Sequence, residues 1–579
     1  MIETNRRVAL VALHAGYSHS SLALRSMAAY ARRWGCEHEM ALFESLVNTS
    51  HQVLLESLVE FDPALIGFST YLWNIEASLH LARVLKQLLP ECRILLGGPE
   101  AGPRGEALLN HSIEVDFVIA GEGEAALTEL MDRLFGDETD WSGVSGLFYR
   151  CDNRVVRNSI RALPVEKIPT LAEQGDSGEE KALVYWETSR GCPYRCSFCS
   201  SATESLRAFP MQRVLSDLEL LCTLRNKTVK LLDRSFHLGR QRTSELLRRF
   251  ADTPQGLRFH LELNPDRISD EAMAIFRDCE PGKFQFEIGL QSLDDQVLRR
   301  IDRCMDVDKA LANIRILVEQ RRHPVHLDLI VGLPGESGEL CARSLDRTFL
   351  LYPDHLQLGT LKLLPGTPLE QQAASLGYRW DPQPPYEILA HPELDFTELV
   401  RFKRYAELLE RLYNSGYMRN TLAGLVTRVF NDSLCACFDA LLVEVGLGLV
   451  RDNLQPDSLF ERMSGFLQPF LKDHPVLGEW LLWDYAQFSL VNGKTPEWIA
   501  HHLRETGGYV VQGSRRRLPI LNLSGQAVTM INHQSGRNLQ QGRYAIWPRQ
   551  HKKGVPVEIL SVDEGSVPAS DLPVADPAH

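Results

Sequence analysis

The sequence predicts an α/β fold in three parts: a Rossmann-like open parallel sheet, a partial (β/α)6 barrel, and a mainly helical C-terminal region. Three observations carry this reading. Residues 1–140 alternate short β-branched runs with longer amphipathic stretches, the pattern of parallel strands joined by crossover helices. From Ala182 the alternation resumes for six further units, which suits a partial barrel better than a second open sheet. Beyond about Tyr378 the apolar spacing turns helical.

In the first part strands are expected at Arg7–Leu13, His38–Glu44, Leu65–Thr70, Cys92–Leu96 and Val115–Ala120, each rich in apolar and β-branched residues. Between them Ser20–Arg33, His51–Phe61, Ile75–Leu89 and Glu124–Phe135 space apolar residues three or four apart, as helices do. A polar stretch from Gly143 to Lys181, with Pro164, Pro169 and the run from Glu173 to Glu180, reads as a linker. Strands resume at Leu183–Glu187, Val229–Asp233, Phe259–Leu263, Phe284–Gly289, His326–Val331 and Gln357–Leu364. Helices are expected at Thr397–Leu412, Asp439–Leu449 and Pro456–Phe470, then short strands at Ile520–Leu523, Tyr544–Trp547 and Val557–Ser561. The implied division is 1–140, a linker 141–181, a barrel 182–377, a C-terminal region 378–563 and a tail 564–579, whose Pro, Ala and Asp predict disorder.

The 579 residues are 44% hydrophobic and 24% charged, a globular balance that lets each part build a core. With 62 basic against 75 acidic residues the net charge is −13, so nucleic acid is not an expected partner. No run approaches the ~20 apolar residues of a membrane helix. The N-terminus enters a strand without a secretory apolar segment, so the expected location is the cytoplasm, away from membranes. There the 12 cysteines are expected as thiols or metal ligands rather than disulfides.

Ligands of open parallel sheets bind beyond the carboxyl ends of the strands. The loops there are small or polar: His14 to His19, Tyr71 to Asn74, Gly97-Gly98-Pro99-Glu100 and Gly121-Glu122-Gly123-Glu124. Together they would form a flat, backbone-lined floor for a large planar ligand. The alternative is that the glycines only make tight strand-to-helix turns.

Directly after the first barrel strand stands Arg190-Gly-Cys192-Pro-Tyr-Arg-Cys196-Ser-Phe-Cys199, a C-x3-C-x2-C loop. Three thiolates can hold three irons of a 4Fe-4S cluster and leave the fourth iron open. A structural zinc ion would want four ligands, and no fourth Cys or His lies at finger spacing. Arg190 and Arg195 are expected to favour thiolates and a negatively charged cluster.

On these residues the chain resembles the radical S-adenosylmethionine superfamily, in the subgroup with an N-terminal cobalamin-binding domain and a C-terminal domain of unknown function. The resemblance implies Cys192, Cys196 and Cys199 as cluster ligands, with S-adenosyl-L-methionine chelated to the open iron. Phe198 matches the aromatic whose backbone meets the adenine. The segments Glu287-Ile-Gly-Leu-Gln291-Ser292 and Asp328-Leu-Ile-Val-Gly332-Leu-Pro-Gly335 match strand ends that contact this cofactor in the superfamily. Glu287 has a second reading, as an interior ion pair. Where the superfamily usually carries Gly-Gly-Glu, this chain has Leu231-Leu232-Asp233, which nominates Asp233 for the cofactor's amino group.

By the same resemblance the first-part loops would carry cobalamin, with His14, Tyr71, Trp73, Gly97, Gly98, Pro99, Gly121, Glu122 and Gly123 at the corrin. The D-x-H-x-x-G lower-ligand motif is absent, so no protein imidazole need coordinate cobalt; a degenerate domain that keeps only the fold is the alternative. The implied activity is methyl transfer to an unactivated carbon of a small-molecule or peptide substrate, fed by a flavodoxin- or ferredoxin-type electron donor. Radical ring closure or rearrangement, and a non-catalytic cobalamin or redox sensor, are the alternatives. Strand alternation nominates Trp186, His260, Glu262 and His326 for the barrel interior. Cys435-Ala-Cys437 offers too few ligands for a further cluster, and the scattered cysteines read as small core hydrophobes.

Overall fold

The computed structural model describes residues 6–36, 38–136, 140–175, 181–237, 239–487, 509–510, 517–518, 520–535, 537–547 and 558–561. β1 (Val8–His14) sits inside the first sheet because it has no polar face: Val8 to Leu13 are all buried, as in a strand covered by helices on both sides. β2 (Met40–Leu46) and β3 (Leu65–Ser69) flank it in parallel, and β4 (Arg93–Gly97) and β5 (Phe117–Ile119) extend the sheet beyond β3. The crossovers are α1 (Leu22–Arg33), α2 (Gln52–Phe61), α3 (Ile75–Leu88) and α4 (Gly105–His111), and α5 (Gly123–Phe135) follows β5.

The sheet does not end at β5. β6 (Leu147–Cys151) and β7 (Arg154–Arg157) add to it antiparallel, giving the order β2-β1-β3-β4-β5-β6-β7. This corrects the linker reading of residues 141–181. Leu147, Phe148 and Tyr149 are buried, and Asp152 and Asn153 turn the hairpin with φ of 47° and 61°. Three apolar residues and a two-residue turn are too short for a periodic signal in the chain. Against β5 they cover an otherwise open edge.

The second sheet has six strands in the order β13-β12-β11-β10-β9-β8, all parallel. They are β8 (Leu183–Trp186), β9 (Thr228–Leu231), β10 (Arg258–Glu262), β11 (Phe284–Gln291), β12 (Val325–Val331) and β13 (His355–Thr360). The first and last strands are the two edges, so the expected partial barrel is what forms. Along β11 and β12 buried and half-buried residues alternate. Phe284, Phe286, Ile288, Leu327 and Leu329 join the large apolar core with the outer helices, whereas Glu287, His326 and Asp328 take the concave side. A closed barrel fills that side with branched apolar residues. Here it is a polar lumen.

The C-terminal region is built on α6 (Phe396–Leu408), which runs on as a π-helical turn through Leu409–Asn414, then α7 (Arg419–Arg428), α8 (Leu434–Glu444), α9 (Pro456–Leu467) and α10 (Val476–Ala486). The helix expected from Asp439 starts earlier, because the Ser433 hydroxyl accepts from Ala436 N and caps it. The π-turn grips the barrel edge: Asn414 pairs with Leu356 N (3.0 Å) and Leu356 O (2.9 Å), and the Tyr413 hydroxyl donates to Pro353 O (2.6 Å). Strands Ile520–Leu523, Gly542–Trp547 and Glu558–Ser561 form a small antiparallel sheet. Cys435 and Cys437 are both buried in α8, as core hydrophobes. The tail 564–579 lies outside the described residues. No helix among them is long and apolar enough to cross a membrane.

One carboxyl of this region titrates unusually. Asp484 is fully buried on α10, faces Asn420 and Thr421 with no cationic partner among the described residues, and is pushed up to about 7 by burial. The native state therefore holds a proton that the unfolded chain has already lost. That contribution is complete below pH 4 and is lost as pH rises towards 7. Chemical-denaturation curves of the wild type and Asp484→Asn should diverge over this window, with the wild type losing stability with pH relative to the variant; parallel curves would refute the assignment.

Candidate functional site

The cysteine loop follows β8. Its base is a two-residue ladder, Ser189–Arg190 against Arg207–Ala208, which closes residues 191–206 into a loop. Gly191 sits at φ 80°, where an added Cβ would lie 2.3 Å from Ser205 O, so only glycine passes this point. Cys192, Cys196 and Cys199 are all free thiols. Arg303 donates to Cys196 Sγ (3.6 Å), and Ser201 N donates to Cys199 Sγ (3.5 Å). Burial holds the Cys192 and Cys199 thiols above their usual range, so thiolates here call for a bound cation, and metal loading would release protons. Among the described residues no three donors converge as a single metal ion needs. A 4Fe-4S cluster instead takes one thiolate on each of three irons.

Asp233, nominated for an amino group, is sequestered beneath this loop. It accepts from Thr188 N (2.8 Å), Thr188 Oγ1 (2.7 Å) and Ser189 Oγ (2.5 Å), and burial pushes it up to about 6. Its place is to brace the strand end that leads into the cysteines. Asp233→Ala should destabilise the protein by roughly 2–4 kcal/mol, since three buried donors lose their acceptor, and should lower iron content after reconstitution. Unchanged melting and iron content would remove Asp233 from this role.

Arg190 does not face the cysteines as expected. Its guanidinium binds Glu122 (2.9 Å), Glu124 (2.6 Å) and Glu187 (2.8 Å), the first two at the N-cap and in the first turn of α5. Glu122, expected at the corrin, is thereby turned towards the second sheet. It also accepts from Arg207 (2.7 Å) and Leu163 N (2.6 Å). One carboxylate thus holds both arginines of the ladder at the base of the cysteine loop. Glu122 keeps its charge: burial opposes it, but Arg207, Leu163 N and Arg190 hold its pKa below the usual value. A second bridge runs from Glu100 and Arg104, after β4, to the Tyr386 hydroxyl beyond the barrel.

The remaining first-sheet loops form the expected edge. Asn74 locks it: Oδ1 accepts from Tyr71 N (2.7 Å), and Nδ2 donates to Leu13 O (3.0 Å) and Ser69 O (3.1 Å). Gly98, at φ 108°, passes so close to Thr70 O that a Cβ would stand 2.5 Å away. Tyr71 and Trp73 stack at 4.4 Å and 9°, with Trp73 46% exposed, an aromatic platform beside the glycine loops. Gly97 is half-buried, Pro99 and Gly121 are exposed, and Gly123 opens α5 against Met27. His14 is held by Glu44 (3.1 Å). This edge, aromatic and backbone-lined, fits a large planar ligand.

Of the strand-end residues, Gln291 has φ 68° at a bulge after Gly289, and its Oε1 is buried without a partner among the described residues. A residue strained in this way with an orphaned acceptor fits a ligand contact. Ser292 donates to Glu336 (2.8 Å), deep in the protein. Gly332, at φ 90°, is covered by Ile388 and accepts from the Tyr378 hydroxyl (2.9 Å). Phe198 is half-buried against the core. Glu287 is an ion pair, with His260 at 2.6 Å and Lys230 at 3.2 Å, and these hold it at about 2. Trp186 corrects another expectation: it shares the outer face with Val184 and donates to Asp217 (3.4 Å), while Tyr185 takes the lumen side and binds His19. His260, Glu262 and His326 do lie on the concave face, where burial and Glu287 push Glu262 up to about 7. Sequence reasoning missed Arg303, Lys230, Asn74 and His355, whose signal is only that each holds an inward or loop-locking position.

Residues 8–131 match the model of the B12 binding domain, residues 186–347 that of the Radical SAM superfamily, and residues 374–519 that of a protein of unknown function, DUF4080. The chain is 28% identical over 306 residues to a 2-(S-pantetheinyl)-carbapenam-3-carboxylate methyltransferase of Streptantibioticus cattleyicolor, a match covering 48% of this chain and 43% of that protein. It is 28% identical over 346 residues to the cobalamin-dependent radical SAM methyltransferase TokK of Streptomyces tokunonensis, covering 55% and 49% respectively. The chain thus spans about half the length of these relatives. The cobalamin-dependent S-adenosylmethionine radical enzyme OxsB, with aqua-cobalamin and S-adenosylmethionine bound, superposes with a TM-score of 0.56 at 15% identity over 84% of each chain, which shows a shared fold. The matched radical SAM domain implies a 4Fe-4S cluster and S-adenosylmethionine, and the B12 binding domain implies cobalamin.

Proposed function

We propose, for a chain whose residues 186–347 belong to the radical S-adenosylmethionine superfamily and whose residues 8–131 form a B12 binding domain, that it methylates an unactivated carbon of a small molecule. The observation that carries this reading is the clamp of Glu122 on Arg190 and Arg207, which sets the loop edge of the first sheet against the base of the cysteine loop. When bound, the cluster and S-adenosylmethionine supply a 5′-deoxyadenosyl radical and cobalamin supplies the methyl group.

The chain's own residues divide the work. Cys192, Cys196 and Cys199 hold the cluster, and Arg303 compensates thiolate charge at Cys196. Gln291 and Phe198 orient S-adenosylmethionine at the strand ends. Tyr71, Trp73 and the glycine loops at Gly97, Gly98, Gly121 and Gly123 seat the corrin. The polar lumen receives the substrate, and the C-terminal helices that grip β13 help keep water from the radical. Electrons for the cluster come from a flavodoxin- or ferredoxin-type donor, and a reducing cytoplasm suits an oxygen-sensitive cluster.

Anaerobic reconstitution with iron, sulfide, hydroxocobalamin and S-adenosylmethionine, followed by reductant, tests this. Formation of both 5′-deoxyadenosine and S-adenosylhomocysteine is expected. 5′-Deoxyadenosine alone, from protein that retains its corrin, would assign ring closure or rearrangement instead.

A further inference from the structure

Between β13 and α6 the chain is tied down at three places, each beside residues assigned to a different cofactor. The first tie is to the cysteine loop. Leu369 N donates to Ser197 O (2.9 Å) and Ser197 N donates to Ile301 O (2.9 Å), so the backbone between Cys196 and Phe198 is held from both sides. The second is to the end of β12. Leu361 N donates to Val331 O (3.0 Å), the Tyr378 hydroxyl donates to Gly332 O (2.9 Å), and Ile388 lies over Gly332 where a Cβ would stand. The third is to the first sheet. The Tyr386 hydroxyl donates to Glu100 and accepts from Arg104, which is itself paired with Glu100 at 3.0 Å, and Pro103 of the same loop closes over Gly366.

Tyr386 stands where these ties meet. Its carbonyl accepts from Leu363 N (3.0 Å), and Ile388 N, two residues on, donates to Leu361 O (3.1 Å), so the same rungs set Tyr386 and the cover of Gly332. Its φ is 59°, a left-handed conformation that bulky side chains rarely adopt, and it is only 4% exposed. A residue held there by its surroundings points to a functional constraint. Across the contact Glu100 is 3% exposed and belongs to a tightly closed loop: Ala101 N donates to Thr70 Oγ1 (3.1 Å) and Gly102 N to Gly98 O (3.0 Å). A shift of Gly98 or Pro99 under a ligand therefore moves Glu100, and Glu100 reaches the second sheet through the Tyr386 hydroxyl.

We propose that Tyr386 is a positioning residue that couples the two cofactor sites, so that cobalamin on the loop of Gly97 and Gly98 and S-adenosylmethionine at the strand ends of the second sheet each strengthen the binding of the other. This rests on the placement of both cofactors in the proposed function. A segment tied to both sites is ordered once, whichever cofactor arrives first, and the second then binds without that cost. By linkage the two gains are equal.

The test uses the full chain carrying its reconstituted 4Fe-4S cluster, without reductant, so that neither cofactor reacts. S-Adenosylmethionine and hydroxocobalamin are each titrated by calorimetry in the absence and presence of the other, and each should tighten the other about tenfold. Tyr386→Phe removes the hydroxyl and keeps the ring. It should leave each separate affinity within about twofold and cut the mutual gain to less than about twofold. Tyr413→Phe, which deletes a hydroxyl bond to Pro353 O at the other end of β13, should keep the full gain and so controls for general loosening. Hydrogen–deuterium exchange needs no variant: in the wild type either cofactor should slow exchange in peptides covering Leu361 to Ile388. Independent affinities in wild-type protein that binds both cofactors overturn the proposal, as do an undiminished gain in Tyr386→Phe and unchanged exchange in those peptides. Failure to bind hydroxocobalamin or S-adenosylmethionine at all is a distinct result, which would sink the cofactor placement of the proposed function and this coupling with it.

Discussion

Replacing Cys196 with alanine should leave the reconstituted protein without the visible absorbance of a full 4Fe-4S cluster and lower S-adenosylmethionine cleavage on the order of 10³-fold or more. The cysteine is nearly buried, at 7% exposure, and Arg303 reaches its sulfur, so the variant also leaves a guanidinium facing a methyl group. The fold should survive, because the loop is closed by backbone pairing at Ser189–Arg190 and Arg207–Ala208 rather than by the thiol. Cys435→Ala is the control. That thiol is buried in α8, where it donates to Ala342 O (3.8 Å) far from the cysteine loop in sequence, so its loss should cost about 1–3 kcal/mol of stability and leave iron content unchanged. Full cluster absorbance in Cys196→Ala would overturn the central assignment.

Glu122→Ala should have the second largest effect, for a different reason. It leaves Arg207 without a carboxylate, takes one of three from Arg190 and removes the acceptor of Leu163 N, in a setting where the two arginines are only 29% and 16% exposed. Removing one member of such a network costs roughly 2–4 kcal/mol, read as a lower melting temperature. The clamp spans the two sheets, so turnover should fall by more than stability predicts, by about 10²-fold, with corrin still retained. Glu122→Gln keeps the shape and loses the charge, and should fall between the two. Normal turnover in Glu122→Ala would show that the two sheets are positioned by other contacts, with Glu100 and Tyr386 the next to examine.

Much of this protein was legible in its residues. Strand and helix order came from the periods of apolar residues, and the cysteine loop is local, so its chemistry can be read from ten consecutive residues. Phase was harder. In Leu183-Val184-Tyr185-Trp186 either pair could face inward; only the packing of Trp186 onto the outer helices, with its indole on Asp217, settles that Tyr185 faces the lumen. Asp233 looked available because the chain shows a carboxylate at a strand end and not the three donors folded around it.

The sequence alone determined the α/β architecture and the three thiols, because both depend on neighbours a few residues apart. Tertiary structure alone decided the partners of the charges. Glu122 and Arg190 are 68 residues apart, and Glu122 and Arg207 are 85 apart. Nothing in either segment states that they meet, since the pairing brings the start of α5 on the first sheet to the base of the cysteine loop on the second. The same is true of His326 and His355, which become neighbours only when β12 and β13 pair in register. Coulomb interactions act through space, and the chain's order does not record those distances.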